Sequence, residues 1–136
     1  MLDLRYIPPQ FIDRAWADGA DCLKASCDKS GGDITVDQLK LMLSRGERQL
    51  AAAMEDDKPV GWVVFGVEQL PNKRVLHVYQ ETAPNKQLLE YVDKLKEYAR
   101  ANGCSAIRCD AEDGPARLYR TRFGFKEVRT VMECAL

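Results

Sequence analysis

Residues 79–95, YQETAPNKQLLEYVDKL, run from the end of an apolar stretch directly into a helical pattern. The N–H groups in the first turn of a helix have no partner within the helix, so strand-to-helix junctions often bind phosphates. Such loops are usually rich in glycine, and this one contains none. Pro84 removes one N–H donor, Asn85 crowds the approach to the backbone, and Lys86 adds a positive charge. The junction is therefore either an altered phosphate site or only a connection in which Thr82 or Asn85 caps the helix.

The composition limits the kinds of protein that the chain can be. Its 136 residues predict a single domain over residues 1–136. Twenty basic and twenty-one acidic residues give a net charge of −1, so no overall field favours nucleic acid or an anionic membrane. Five cysteines without a C-x-x-C pair, and a single histidine, are a poor set of metal ligands. Pro8 and Pro9 interrupt the start before any apolar core of a signal peptide forms, and no run has the length of a membrane span. We expect a cytoplasmic protein without a metal.

Hydrophobic periodicity predicts an α/β order of elements. Two helices occupy residues 10–46 after a short apolar start, and Gly19 is expected to weaken or split the first of them. Residues 48–70 read as a hairpin turning at EDDKP, and KRVLHVYQE reads as a third strong strand. In that strand, simple alternation places Val75, His77 and Tyr79 on one face. It places the intervening residues Leu76, Val78 and Gln80 on the other.

The second half of the chain contains the clearest helix. Leu88, Val92, Leu95 and Ala99 repeat at helical spacing and predict a helix over residues 86–102. A strand, CSAIRCDA, follows, so the two strands around this helix should be parallel neighbours that diverge at their C-terminal ends. A short helix from Asp113 to about residue 122 and a closing strand, FKEVRTVMECAL, complete the prediction.

This order of elements resembles the GNAT superfamily of CoA-dependent N-acetyltransferases over nearly the whole chain. The most specific part is DGPARLYRTRFGFKEV, which is similar to the family's N-x-x-A-x-x-x-Y-x-x-x-G-F stretch, with Asp113, Ala116, Gly124 and Phe125 in register. The chain also resembles small GNAT-like proteins of tailed phages and prophages. This likeness lies in Pro8 and Pro9, the RVL strand, ARANGC and the ending FGFKEVRTV. The resemblance implies a mixed, mostly antiparallel sheet that is splayed in the middle and flanked by helices.

The resemblance also implies a cofactor site for acetyl-CoA. Family members hold the CoA pyrophosphate in a loop of the form R/Q-x-x-G-x-G/A, which aligns with residues 80–85 of this chain. Departures from that pattern imply weak binding, or none. The residues implied at the cofactor are Gln80, Thr82, Ala83, Asn85, Lys86, Gln87, Asp113 and Arg120.

An acid and a base are implied as well. The family's frequent general acid, a tyrosine four residues before the glycine of G-F, is replaced here by Arg120, and Tyr119 lies one residue earlier. Tyr119 is then either the acid, brought round by a local irregularity, or a half-buried helix residue. Glu81, at the strand end beside the implied thioester, is the candidate base, because an attacking amine must be neutral. His77 is the weaker candidate and is expected to be a packed histidine.

Two functions remain open from the sequence. One is acetyl transfer from acetyl-CoA to a small-molecule or protein amine. The other is a catalytically inactive GNAT-fold protein with a binding or structural role, which for a phage-encoded chain would act in assembly or host interference, in the host cytoplasm or the virion. The basic cluster of residues 117–129 is either a contact for an acidic partner or phosphate, or a solvated helix face. Sparse aromatic residues argue against nucleic-acid binding.

Overall fold

A computed structural model shows one five-stranded sheet with helices on both faces. It describes residues 3–82, 88–110 and 119–136, and at residues 88–90 it describes the backbone alone. The strand order is β1-β2-β3-β4-β5, and all neighbours are antiparallel except β4 and β5, which are parallel. The elements are β1 (Asp3–Ile7), α1 (Ile12–Asp28), α2 (Val36–Ser44), β2 (Gln49–Glu55), β3 (Lys58–Gln69), β4 (Arg74–Thr82), α3 (Leu88–Ala101) and β5 (Ala106–Cys109).

The central strands are buried on both faces, which explains their continuous apolar runs. Ala51, Ala53, Val63 and Phe65 pack on the α3 side. The alternate residues of the same two strands pack on the side of α1 and α2, and these are Leu50, Ala52, Met54, Trp62 and Val64. The chain turns between β2 and β3 at Asp56 and Asp57, which both have positive φ, as a two-residue hairpin requires.

Helix α1 is continuous through Gly19, contrary to the expectation that this glycine would weaken or split it. The glycine is needed for packing, because a Cβ at this position would lie 2.8 Å from Cε2 of Trp62. Close approach of the helix to β3 therefore explains a residue that helix propensity alone would disfavour.

The crossover prediction is confirmed. Strands β4 and β5 are parallel, and α3 packs on one face of the sheet through the predicted stripe residues Val92, Leu95 and Ala99. Helix α3 ends at Ala101, where Gly103 has φ +76° and the N–H of Cys104 donates to the carbonyl of Ala99. The expected start at residue 86 lies outside the described residues.

The predicted closing strand is wrong. Residues 119–122 are helical, as expected for the end of the short helix, but residues 123–136 form no strand and are mostly exposed. An alternating pattern gives a strand only where another strand supplies a hydrogen-bonding edge. Residues 123–136 pair with none of the five described strands.

Candidate functional site

A cleft opens where β4 and β5 separate. Their pairing runs from Val75 opposite Ala106 to Val78 opposite Cys109. Beyond that point β4 continues to Thr82 and, among the described strands, pairs with β3 alone. The described C-terminal end of β4 therefore has one side that no β5 residue occupies.

An extra residue in β4 decides which side chains face this cleft. Gln80 stands opposite Val64 and Val78 stands opposite Phe65, so Tyr79 has no partner of its own in β3. Cross-strand partners share a face, which puts Val78 with Phe65 on the α3 side. Gln80 is turned to the opposite face, so its predicted grouping with Leu76 and Val78 is wrong. Glu81, opposite Val63, is turned to the α3 side.

Glu81 and Tyr119 meet in the cleft. The hydroxyl of Tyr119 donates a hydrogen bond to Oε1 of Glu81, and the tyrosine is only 5% exposed. Burial raises the pKa of Glu81, and the hydrogen bond from Tyr119 partly opposes that rise. Burial, and then the charge of Glu81, raise the pKa of the tyrosine well above its usual value. The structure thus brings together the two residues predicted as base and acid.

The cleft is closely packed around this pair. A cavity of about 10 Å³ remains, roughly the space of one water molecule. Two polar residues that the sequence did not single out also line it, Tyr91 and Cys109. The hydroxyl of Tyr91 is buried without a hydrogen-bond partner among the described residues. Burial raises the pKa of both groups, to about 12 for the Cys109 thiol.

The remaining predicted site residues are either buried, exposed or outside the described residues. Gln80 is buried, and its Oε1, like Oγ1 of Thr82, has no hydrogen-bond partner in the part of the chain that the structure describes. Arg120 is exposed. Five of the predicted cofactor residues lie outside the described residues: Ala83, Asn85, Lys86, Gln87 and Asp113.

His77 belongs to a separate polar cluster on the opposite face. Its ring stacks on Tyr79 with centroids 4.7 Å apart, and its Nε2 lies 3.4 Å from Oδ2 of Asp110. The hydroxyl of Tyr79 donates to Glu68, and the guanidinium of Arg48 lies 3.8 Å from the centre of the Tyr79 ring. His77 is therefore a packed residue, as expected.

Other site types find little support in the described residues. No group of three or more His, Cys, Asp or Glu side chains there could hold a metal ion. No helix there is long and apolar enough to cross a membrane. In the predicted basic cluster, the four described residues Arg120, Arg122, Lys126 and Arg129 are all exposed.

We expect Glu81→Gln to change the pH dependence of stability. Because the pKa of Glu81 is raised in the folded state, its favourable contribution is present below the unfolded value of about 4.3. That contribution is lost as pH rises through the higher folded-state pKa. Glutamine stays neutral, so the variant should gain stability over the wild type as pH rises from 4 to about 8. Urea unfolding across this range measures the effect, with exposed Glu97→Gln as control. A pH-independent difference would contradict a desolvated carboxylate.

This arrangement of sheet, helices and splayed strands is the GNAT fold of N-acetyltransferases. An aminoglycoside acetyltransferase from an uncultured soil metagenomic sample, solved in complex with sisomicin, matches 99% of this chain and 96% of its own. Its TM-score is 0.71 at 13% identity. A probable acetyltransferase has a TM-score of 0.69 at 17% identity, over 98% of this chain and 96% of its own.

A possible acetyltransferase from Clostridium difficile 630 is also similar, with a TM-score of 0.67 at 12% identity over 100% of this chain and 97% of its own. No protein-family model matches the chain, and no curated protein matches its sequence. The similarity therefore establishes the fold, and the narrower likeness to phage proteins stays a prediction.

Proposed function

We propose that the protein transfers an acetyl group from acetyl-CoA to an amine. The observation that carries the proposal is the hydrogen bond from Tyr119 to Glu81 in the cleft between β4 and β5. A proton acceptor and a proton donor in contact are what aminolysis of a thioester requires. Acetyltransferase names among the similar structures support the same chemistry.

The chain offers groups that suit acetyl-CoA in the thioester-bearing part of the cleft. The described end of β4 has a side that β5 leaves free, and the buried oxygens of Thr82 and Tyr91 have no hydrogen-bond partner among the described residues. These protein groups would hold the part of acetyl-CoA that lies next to its sulfur. When bound, acetyl-CoA supplies an activated acetyl group. Lys86 and the N–H groups of residues 85–87 are the proposed partners of its phosphates.

The two cleft residues can move one proton in step with the transfer. Glu81 takes a proton from the amine as the new carbon–nitrogen bond forms, and Tyr119 gives a proton to the sulfur as the carbon–sulfur bond breaks. The charge of Glu81 is one cause of the high pKa of Tyr119. Protonation of Glu81 removes that charge, so Tyr119 becomes a stronger acid at the moment when the thiolate leaves. The hydrogen bond then returns the proton from Glu81 to Tyr119.

A second candidate is a GNAT-fold binding protein without catalysis. The cavity of about 10 Å³ favours this reading, because a space of about one water molecule is too small for an acetyl group. In that case the hydrogen bond from Tyr119 to Glu81 would serve only to hold the cleft closed.

Binding of acetyl-CoA should be weak and measurable by thermal melts. A ligand at a hundred times its dissociation constant stabilises a fold by about 2.7 kcal/mol, which raises the melting temperature of a domain of this size by several degrees. We expect such a shift at millimolar acetyl-CoA. Lys86→Glu should abolish it, and Arg129→Ala, an exposed control, should retain it. CoA release with a panel of amines then separates the two candidates.

Each outcome of this experiment has a defined meaning. Binding with transfer supports the enzyme, whereas binding without transfer across the panel favours the inactive protein. A folded protein that shows no shift would contradict both the cofactor and the proposed reaction.

A further inference from the structure

A stack of side chains lies on the face of the sheet opposite α3. The Tyr79 ring packs on this face close to Gly66 of β3, where an added Cβ would lie 3.2 Å from the ring. The His77 ring stacks on the tyrosine at an interplanar angle of 16°, and the guanidinium of Arg48 lies over the centre of the tyrosine ring. Glycine at position 66 therefore gives the stack its room against β3.

His77 lies between two carboxylates from different parts of the sheet. Its Nδ1 is 3.9 Å from Oε1 of Glu68 in β3, and its Nε2 is 3.4 Å from Oδ2 of Asp110, the residue that follows β5. The histidine side chain is only 12% exposed, whereas that of Asp110 is 78% exposed. The ring therefore connects β3, β4 and the C-terminal end of β5 through side chains.

The protonation of an imidazole decides how many carboxylates it can bind. A neutral ring has one N–H, so it donates to one carboxylate and turns a lone pair toward the other. A protonated ring has two N–H groups and a positive charge, so it can donate to both. Because the hydroxyl of Tyr79 also donates to Glu68, the contact with Asp110 should depend most on the charge of the ring.

The other charged groups near the ring are two arginines. Arg108 of β5 is the cross-strand partner of His77 and lies on the same face, and Arg48 contacts the Tyr79 ring. Both keep their charge at any ordinary pH, whereas imidazole is the side chain that ordinarily changes charge between pH 5 and 8. Helix α1 also packs against β4, but among the described residues none of its charged side chains forms an ion pair or hydrogen bond with His77.

We propose that His77 is a positioning residue whose protonation holds Asp110, and with it the C-terminal end of β5, against β4. Asp110 directly follows Cys109, which lines the cleft and pairs with Val78 at the point where the two strands separate. A protonated ring would keep the cleft narrow, and a neutral ring would let the end of β5 move away from β4. The inference does not depend on the proposed acetyl transfer.

Hydrogen exchange of the backbone amides of residues 106–109 tests the proposal. After correction for the chemical dependence of exchange on pH, these amides should be about three- to tenfold better protected at about pH 5.5 than at about pH 8. This range lies between the effects of an exposed ion pair and of a buried charged hydrogen bond. The change should follow the NMR signal of His77, which is the only histidine in the chain. Residues 51–53 of the buried strand β2 are the internal control.

Two substitutions identify the groups responsible for the change. His77→Gln cannot become charged, and Asp110→Asn removes the charge that the ring holds, so each variant should lose the difference in protection. Asp93→Asn changes an exposed aspartate of α3 and should keep it. Because Asp110 is largely exposed, its variant should fold even if His77→Gln does not. Equal protection of β5 at both pH values in the wild type would overturn the proposal. A difference that survives Asp110→Asn would overturn it as well, and would point to Glu81 in the cleft.

Discussion

Leu95→Ala is expected to lower the free energy of unfolding by about 2–5 kcal/mol, the usual cost of removing a buried leucine. Leu95 is 2% exposed and packs from α3 onto the sheet, where it also lines the cleft. Because a domain of this kind is stable by only about 5–15 kcal/mol, the loss is a large fraction of the total. Urea denaturation monitored by fluorescence of the two tryptophans measures it.

Leu41→Ala is the matched control for this substitution. Leu41 is also a helical leucine, but its side chain is about half exposed, so the change should stay within about 0.5 kcal/mol. Equal midpoints for wild type and Leu95→Ala would show that α3 does not bury this face.

Tyr119→Phe is expected to reduce the rate of the proposed acetyl transfer by about 10²–10⁴-fold, the range for loss of a positioned acid or base. The substitution removes the hydroxyl and keeps the ring, which packs beside Phe123 and Phe125. Initial rates of CoA release with the best amine of the panel measure the effect. Tyr6→Phe removes the hydroxyl of a tyrosine that is 41% exposed and does not line the cleft, so it should leave the rate unchanged.

Combining the change with Glu81→Gln distinguishes a shared role from two separate ones. If Glu81 and Tyr119 move one proton together, the double variant should be about as slow as the slower single variant, because residues that act as a unit are not additive. Multiplied effects would contradict the proton relay. A Tyr119→Phe variant with wild-type rates would mean that another group protonates the sulfur, and Tyr91, which also lines the cleft, would then be a candidate.

The order of elements was predictable because most of it depends on strong local patterns. The stripe of α3 has helical spacing over more than three turns, and the continuous apolar runs of β2 and β3 suit strands buried on both faces. The prediction of the closing strand was wrong because a strand does not depend on its local pattern alone. Its alternation is equally clear, but a strand also needs a partner edge, which a local pattern cannot supply.

The candidate site was predictable in part. The resemblance to GNAT proteins pointed to Glu81 and Tyr119, but simple alternation would have placed Glu81 with His77 and Tyr79 on the opposite face. Cys109 had no signal beyond its position at a strand end. Tyr91 lies four residues before Leu95, so its place near the buried stripe could have been noticed. Nothing in the sequence indicated that its hydroxyl would be left without a partner.

Tyr79 has no partner in β3, so the alternation of side chains between the two faces of β4 shifts by one residue at this position. Upstream of it, even-numbered side chains such as Val78 point to α3, and downstream the odd-numbered Glu81 does so. Loss of Tyr79 itself would leave Gln80 opposite Val64 and Glu81 opposite Val63, so the side chains would keep their faces. If Tyr79 instead took up the pairing with Val64, the strand would be just as apolar, but the side chains of residues 80–82 would exchange faces. The carboxylate would then lie among the side chains packed against α1, and Gln80 would take its place beside Tyr119. For this chain a one-residue change of pairing in β4 would thus remove Glu81 from the cleft inside an intact sheet. A relative whose strand lacks the extra residue would carry the matching carboxylate at the position that a gapless alignment assigns to Gln80.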